Sequence, residues 1–77
     1  MKLGVFWQEQ ALKDLEKLEL FIRKRIVWKV ESMGANFRFH DVKKLSKMDR
    51  YRMRVGDYRV IFEIEKDKLF FENTVNI

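Results

Sequence analysis

The feature that most constrains the fold is the alternation of apolar and polar residues from Tyr51 to Glu65, which reads YRMRVGDYRVIFEIE. The alternation runs on both sides of Gly56-Asp57, and a two-residue loop carrying Gly between alternating runs is typical of a tight β-hairpin. With these two residues in the loop, the register of the two strands is fixed. The opposed pairs are Val55 with Tyr58, Arg54 with Arg59, Met53 with Val60, Arg52 with Ile61, and Tyr51 with Phe62.

The predicted hairpin has two chemically different faces. The core face carries Tyr51, Met53, Val55, Tyr58, Val60, Phe62 and Ile64. The opposite face carries Arg52, Arg54 and Arg59, followed by Ile61, Glu63 and Glu65. Arg54 directly opposite Arg59 is a like-charge pair, which costs stability unless an anion lies over it. Such a local conflict is expected at a functional site and favours a phosphate-binding patch. The alternative is a charged face that only keeps a small sheet soluble.

Composition excludes several kinds of site. The 77-residue chain has no Cys and one His, His40, which rules out disulfides, thiolate chemistry and a two-histidine acid–base pair. We therefore expect no metal and no cofactor, and a general acid or base role for His40 is only an alternative to a solvated loop residue. No run approaches the roughly 18 apolar residues of a membrane span, and the N-terminus lacks a signal peptide's apolar region. We expect one cytoplasmic domain over residues 1–77.

Basic charge is concentrated between Arg38 and Arg59. This segment has eight basic and three acidic residues, a net charge of +5 that equals the net charge of the whole chain. Such concentration is typical of binding to nucleic acid or to an acidic protein. The RNA contacts predicted in this segment are Lys43, Lys44, Lys47 and Arg50. Arg23 and Lys24 are predicted as auxiliary RNA contacts, with a solvated helix face as the alternative.

The N-terminal half predicts a strand followed by two helices. Residues Lys2 to Trp7 form a β-branched and aromatic run typical of a strand. The apolar spacing then becomes helical, and a second helix is predicted from Leu20 to Met33 with Gly34 as its C-cap. Phe21 and Trp28 on this second helix are expected to pack in the core, with a partner groove as the alternative.

The C-terminal half predicts a loop and a meander. No clean period spans Ala35 to Lys47, so this segment is interpreted as a loop in which Leu45 points inward. After the hairpin, Lys66-Asp67 forms a second tight turn before a last strand from Leu69 to Ile77. The predicted core face of that strand is Leu69, Phe71, Val75 and Ile77. Its edge is expected to be free for pairing with a partner strand. The expected α+β fold is a two-helix hairpin packed on an antiparallel sheet that ends in a three-strand meander.

Three segments resemble the RelE/ParE superfamily of bacterial and archaeal toxins. They read LEKLELFIRKRI, FRFHDVKKLSKM and YRMRVGDYRVIFEI, and with the order of elements they extend the resemblance over nearly the whole chain. The resemblance is strongest to RelE-type toxins. It implies a small ribonuclease that enters the ribosomal A site and cleaves mRNA through attack of a ribose 2′-hydroxyl on the adjacent phosphate. It places Arg52, Arg54 and Arg59 at basic catalytic positions, and it implies a RelB-like antitoxin as the protein partner.

The chain departs from the family pattern at its end. Family members usually continue with a segment near Gly-His-Arg-Arg-x-x-x-Tyr, which supplies a further Arg and a Tyr, whereas this chain ends at Asn76-Ile77. We therefore expect weakened or lost cleavage. Two other functions stay open. One is a ParE-like or antitoxin-sequestering module that binds protein without cleaving RNA. The other is a stand-alone RNA-binding domain, for which the sequence places no exposed aromatic residue on the basic face.

Overall fold

The structure, a computed structural model, describes residues 3–35, 42–45 and 49–76. Within these residues the elements are β1 (Gly4–Trp7), α1 (Glu9–Glu16), α2 (Leu20–Ala35), β2 (Val42–Leu45), β3 (Arg50–Val55), β4 (Tyr58–Glu65) and β5 (Lys68–Asn76). The strands form one sheet in the order β1-β5-β4-β3-β2. The predicted α+β fold of two helices on a sheet is confirmed. The sheet is mixed rather than antiparallel, because β1 runs parallel to β5.

The central hairpin has the predicted register. All five predicted pairs are present, and Gly56 lies in the turn with a φ of +59°, a conformation that glycine adopts without strain. Side chains of directly opposed residues point to the same face of a sheet. The core face therefore meets the helices, and Met53, Val55, Val60 and Phe62 are buried there. The sequence pattern was sufficient for this part of the fold.

The segment predicted as a loop contains strand β2. Its residues Val42–Leu45 pair antiparallel with β3, placing Lys43 opposite Arg52 and Leu45 opposite Arg50. Leu45 therefore lies on the face away from the helices, not inward as predicted. The Lys43-Lys44 pair interrupts the apolar alternation, so the sequence carries no strand signal at this position. Pairing with the edge of β3 supplies the hydrogen bonds that define the strand instead.

A β-bulge in β5 reverses the predicted orientation of its C-terminal half. Phe62 pairs with Phe71 but Ile61 pairs with Asn73, so Glu72 is the extra residue on β5. Leu69 and Phe71 are buried as predicted, whereas Thr74 takes the next buried position. Val75 is 41% exposed and lies opposite Arg59, so its predicted core position was wrong. Ile77 lies outside the described residues.

Strand β5 is not an edge strand over its first half. Its residues Lys68 to Phe71 pair with β1, and the backbone N–H of Gln8 extends the contact by donating to the Phe71 carbonyl at 2.8 Å. Beyond this point the Asp14 carboxylate accepts a hydrogen bond from the Thr74 backbone N–H at 3.0 Å. The predicted free edge is therefore confined to the C-terminal part of β5.

Gly34 lies inside α2 rather than at its C-cap. It is buried against β1, where its carbonyl accepts a hydrogen bond from the Leu3 N–H at 2.6 Å. A Cβ added at Gly34 would collide with the Val5 side chain and approach the Leu3 carbonyl oxygen to 3.2 Å. The glycine is therefore required because the last turn of α2 packs closely on β1. The sequence preferences of helix C-caps do not predict this packing requirement.

The helices cover one face of the sheet. Helix α1 lies against β5, and α2 contacts β1 and β3. Beneath them a row of aromatic rings crosses four strands: Trp7 meets Phe71, Phe71 meets Phe62, and Phe62 meets Tyr51 at centroid distances of 5.1, 5.0 and 5.7 Å. In the described part of the chain, neither helix is long and apolar enough to span a membrane.

Two aromatic residues of α2 do not join this core. Phe21 is 80% exposed and Trp28 is 71% exposed, so the predicted core packing of both was wrong. They lie seven residues apart, with Lys24 and Arg25 between them, and this spacing places all four on one stripe of the helix. Ile26 and Val30 occupy the buried side instead. The exposed stripe is of the kind that contacts a partner, the alternative left open by the sequence.

Candidate nucleic-acid interface

Five basic side chains lie on the sheet face away from the helices over strands β2, β3 and β4, and all of them except Arg50 form one cationic surface. We call this surface the arginine face, and its members are Lys43, Arg52, Arg54 and Arg59. The strand register sets their arrangement, because Lys43 is opposite Arg52 and Arg54 is opposite Arg59. Directly opposed side chains start about 4.5–5.5 Å apart at Cβ. The three predicted catalytic arginines therefore share one compact patch.

The arginine face keeps its positive charge within the described part of the chain. Within the described residues no carboxylate lies within salt-bridge distance of Arg52, Arg54 or Arg59. Arg54 Nε donates to the Gly56 carbonyl at 3.2 Å, which keeps its guanidinium over the turn. Positive charges clustered in this way repel one another and raise the local potential for an anion.

The Arg59 side chain adds an unsatisfied hydrogen-bond donor to the arginine face, among the described residues. Its Nε is buried and has no hydrogen-bond acceptor in the part of the chain that the structure describes. A buried donor left without an acceptor costs about 1–3 kcal/mol. A phosphate oxygen over the guanidinium would relieve part of the charge repulsion with Arg54. The local chemistry of this pair is thus suited to an anionic ligand.

Helix α2 adds basic groups at the same end of the hairpin. Lys29 Nζ donates to the Arg54 carbonyl at 3.2 Å. The Arg25 guanidinium lies beside the turn, within 3.5 Å of where a Cβ on Gly56 would be. The sequence does not predict that either residue lies beside the hairpin, because the helix–sheet crossing that brings them together has no local sequence signal.

Arg50 lies on the same face but is already paired. Its Nε is 3.2 Å from a carboxylate oxygen of Glu72 and 3.4 Å from one of Glu63. Its Nη2 also donates to Glu72 at 3.5 Å. Because two carboxylates surround one guanidinium, this part of the face is not cationic. The predicted RNA contact at Arg50 is therefore occupied by an ion-pair network in this structure.

Comparison with known proteins identifies the family. The model of the ParE toxin of the type II toxin–antitoxin system parDE matches residues 5–71. The chain belongs to the RelE/ParE toxin family. It is similar to Toxin RelE3 of Methanocaldococcus jannaschii, with 32% identity over 79 residues that cover 96% of this chain and 90% of the relative.

Solved structures of RelE toxins share the fold. The RelB–RelE antitoxin–toxin complex from Methanococcus jannaschii matches with a TM-score of 0.77 and 29% identity, over 92% of this chain and 88% of that chain. The archaeal RelE–RelB complex from Pyrococcus horikoshii OT3 matches with a TM-score of 0.82 and 25% identity, over 99% and 96% of the two chains. Both neighbours are toxins in complex with an antitoxin, and this chain is likewise a toxin of a toxin–antitoxin system.

The remaining predicted RNA contacts of this RelE/ParE toxin are dispersed. Arg23 donates to backbone carbonyls at the C-terminal end of α1, to Leu15 at 3.1 Å, Leu18 at 3.1 Å and Glu16 at 3.5 Å. It thereby closes the turn between the two helices, where carbonyls lack the usual helical donors four residues on. The Leu15 carbonyl also accepts a hydrogen bond from the Leu18 N–H at 3.0 Å. Lys24 is exposed on the outer stripe of α2.

Lys43 and Lys44, which were also predicted to contact RNA, lie on opposite faces of the sheet. Lys43 belongs to the arginine face, while Lys44 lies opposite Tyr51 and so points to the helix side of the sheet edge. Lys47 and His40 lie outside the described residues. Tyr51 and Tyr58 are half-buried against the core, as predicted. On the described part of the arginine face, no tyrosine or histidine is available for proton transfer.

Proposed function

We propose that this RelE/ParE toxin is a ribosome-dependent mRNA endonuclease that inhibits translation, with its substrate phosphate on the arginine face. The observation that carries the proposal is the opposed Arg54–Arg59 pair beside Arg52, without a neutralising carboxylate among the described residues. A like-charge pair beside the turn of a hairpin costs stability. An RNA phosphate bound between the side chains offsets that cost. Action on the ribosome and mRNA implies a cytoplasmic protein.

The proposed chemistry is internal attack within the RNA. The 2′-oxygen of a ribose forms a bond to the adjacent phosphorus and loses its proton, while the bond from phosphorus to the departing 5′-oxygen breaks and that oxygen gains a proton. Negative charge builds on the non-bridging oxygens in between. The guanidinium groups of Arg52, Arg54 and Arg59 can donate paired hydrogen bonds to those oxygens. Their role is charge stabilisation, because arginine does not deprotonate in proteins and cannot be the base.

We propose that turnover is slow. A positioned general acid or base contributes typically 10²–10⁴-fold in rate, and the described arginine face offers neither tyrosine nor histidine. Charge stabilisation by preorganised donors remains, and each such donor is worth about 10²–10³-fold. The expected phenotype is therefore RNA binding accompanied by weak cleavage.

Cleavage of mRNA in a translating ribosome extract tests the proposal. Three proteins are compared: this chain, its Arg52→Ala/Arg54→Ala/Arg59→Ala variant, and this chain extended by a segment that supplies an arginine and a tyrosine. We expect weak cleavage by the chain, none by the triple variant and strong cleavage by the extended form. Lys17→Ala, an exposed change beyond the end of α1, is a control for loss of a positive charge away from the arginine face. A triple variant that binds ribosomes and cleaves like the unsubstituted chain would show the proposal to be wrong.

We further propose that a RelB-like antitoxin neutralises the toxin by covering the exposed stripe of α2. Phe21 and Trp28 present large apolar surfaces, with Lys24 and Arg25 between them. An amphipathic helix carrying acidic residues matches this pattern, because its apolar side chains cover the rings and its carboxylates meet the cations. Aromatic residues are also the type enriched among energetic hot spots of interfaces.

Affinity capture from the native host tests the antitoxin proposal. The unsubstituted toxin should recover a small acidic or amphipathic protein, and Phe21→Ala/Trp28→Ala should lose it by at least tenfold, since truncating one hot-spot residue commonly costs about 2 kcal/mol or more. Leu12→Ala, an exposed apolar position on α1, is the matched control. Equal recovery by the double variant would show that the antitoxin binds to another surface of the toxin.

The second candidate function is binding of DNA gyrase without RNA cleavage. The match of a ParE family model to residues 5–71 favours it. A DNA supercoiling assay separates the two functions, because an mRNA endonuclease leaves gyrase activity unchanged. Inhibition of supercoiling by the unsubstituted chain and by the triple arginine variant alike would favour the ParE-like function.

A further inference from the structure

The sheet face that carries the arginines also carries an exposed aromatic pair. Phe6 on β1 and Phe70 on β5 are directly opposed in register, and their rings stack at a centroid distance of 5.3 Å and an interplanar angle of 22°. Their neighbours Val5, Trp7, Leu69 and Phe71 point to the helix side. Phe6 is 46% exposed and Phe70 is half-buried. The pair therefore lies outside the core and faces the same side as Arg52, Arg54 and Arg59.

We propose that the Phe6–Phe70 pair is a base-stacking platform for single-stranded RNA whose phosphate lies on the arginine face. The inference rests on the proposed function, because it requires RNA on that face. Aromatic side chains on an open sheet beside a cationic groove are a general means of holding single-stranded nucleic acid. Stacking accepts every base, since each base has a π face. The platform supplies the stacking surface that the sequence did not place on the basic face.

The spacing between the arginines and the platform fits one RNA strand. Phe70 is opposite Glu63, and Glu63 is two residues along β4 from Ile61, the partner of Arg52. With about 3.3 Å per residue and 4.8 Å between strands, the Arg52 and Phe70 Cα atoms are about 12 Å apart. An RNA strand with a phosphate on Arg52 can therefore bring a nearby base over the rings.

The surface between the two sites carries only a small negative charge. Glu63 and Glu72 oppose a phosphate, and Arg50, which pairs with both, offsets one of their two charges. Ile61 and Asn73 face each other at the centre of this strip. The Asn73 amide adds a donor and an acceptor suited to a base edge. Lys68, opposite Gly4 on the far side of the rings, adds a cation.

Gly4 shapes the platform from the side. A Cβ added at Gly4 would lie 3.1 Å from Cε2 of Phe6 and 3.9 Å from Cγ of Lys68. The absence of a side chain at this position therefore leaves the space that the Phe6 ring occupies. A larger residue at this position would displace the ring.

Binding of short 2′-O-methyl RNA tests the platform, because this RNA cannot undergo 2′-hydroxyl attack. A series of oligonucleotides carries one abasic position, moved stepwise along the strand. The unsubstituted toxin should bind the oligonucleotide lacking the stacked base about 5- to 150-fold more weakly than intact RNA. Phe6→Leu/Phe70→Leu should bind intact RNA more weakly by a similar factor and show no dependence on the abasic position. Leu12→Ala/Leu20→Ala, at two exposed apolar positions on the helices, is the matched control and should behave as the unsubstituted toxin does.

The outcomes distinguish the platform from the proposed function. Normal RNA binding by Phe6→Leu/Phe70→Leu would overturn the platform. If the triple arginine variant binds RNA normally, the proposed function fails independently. Absence of RNA binding by the unsubstituted chain would also overturn the platform, whatever cleavage occurs on the ribosome. If the leucine variant fails to fold, the abasic oligonucleotides still test the platform with the unsubstituted toxin. Equal affinity for every abasic position would exclude base stacking.

Discussion

The two faces of the sheet obey different rules. On the helix side, Phe62, Phe71 and Met53 are at most 1% exposed, and burial explains their positions. On the outer side, Arg54 opposes Arg59 and Phe6 leaves nearly half its surface in water. Neither arrangement gains stability from burial, and charge repulsion within the arginine pair opposes folding. We interpret the helix side as the source of stability and the outer side as the proposed binding surface. Changes on the helix side should therefore alter unfolding, and changes on the outer side should alter function.

The largest expected effect belongs to the helix side. Phe62→Ala removes a fully buried ring that stacks on Phe71 and Tyr51, and such truncations cost about 3–5 kcal/mol in the free energy of unfolding. Chemical denaturation measures this loss. The matched control is Phe6→Ala on the outer face, which should cost about half as much or less because Phe6 is already partly exposed. Equal losses would remove the distinction between the faces.

The next effect belongs to the arginine face. Arg59→Ala should lower mRNA cleavage by about 10²–10³-fold, because it removes one preorganised cation. It should leave the free energy of unfolding unchanged or raise it by up to about 1 kcal/mol, since the repulsion with Arg54 disappears. Arg59→Lys separates charge from geometry, as lysine keeps the charge but loses the fork of donors. A variant that loses stability together with cleavage would contradict this separation of roles.

A smaller effect is expected where α2 meets β1. Gly34→Ala places a methyl group against Val5 and the Leu3 carbonyl, and overpacking of this kind costs about 1–3 kcal/mol. Thermal unfolding measures the change. Ala35→Gly on the exposed neighbouring position is the control and should have a much smaller effect. A stabilised Gly34→Ala variant would show instead that Gly34 serves no packing role and only lowers helix propensity.

The smallest effect is expected from the ion pairs around Arg50. Glu63→Gln/Glu72→Gln should cost at most about 1 kcal/mol in unfolding free energy, because all three side chains are partly exposed. The same change frees the Arg50 guanidinium and should tighten RNA binding, with a steeper dependence on salt concentration. Binding isotherms at several salt concentrations measure both. Unchanged binding would indicate that RNA does not reach this strip of the outer face.

The sequence by itself determined the hairpin, its register and the position of the three arginines. A period of two with a two-residue turn leaves only one pairing that buries Met53, Val60 and Phe62 together, so local rules were sufficient. Apolar periodicity and turn residues predicted the order of a strand, two helices and a three-strand meander, and this order matches the RelE/ParE family. The hairpin depends on residues that are close together in the chain. The order of elements depends on a pattern that extends over most of the chain.

The tertiary structure decided what depends on distant partners. The bulge at Glu72 turned Thr74 inward and Val75 outward, and the pairing of β2 with β3 made a strand from residues without a strand pattern. Arg23 donates to backbone carbonyls and Arg50 pairs with carboxylates, and the sequence predicted neither set of partners. The Phe6–Phe70 pair exists only because β1 and β5 are parallel neighbours. Such contacts join residues far apart in the chain, and a local pattern carries no information about which side chains will meet.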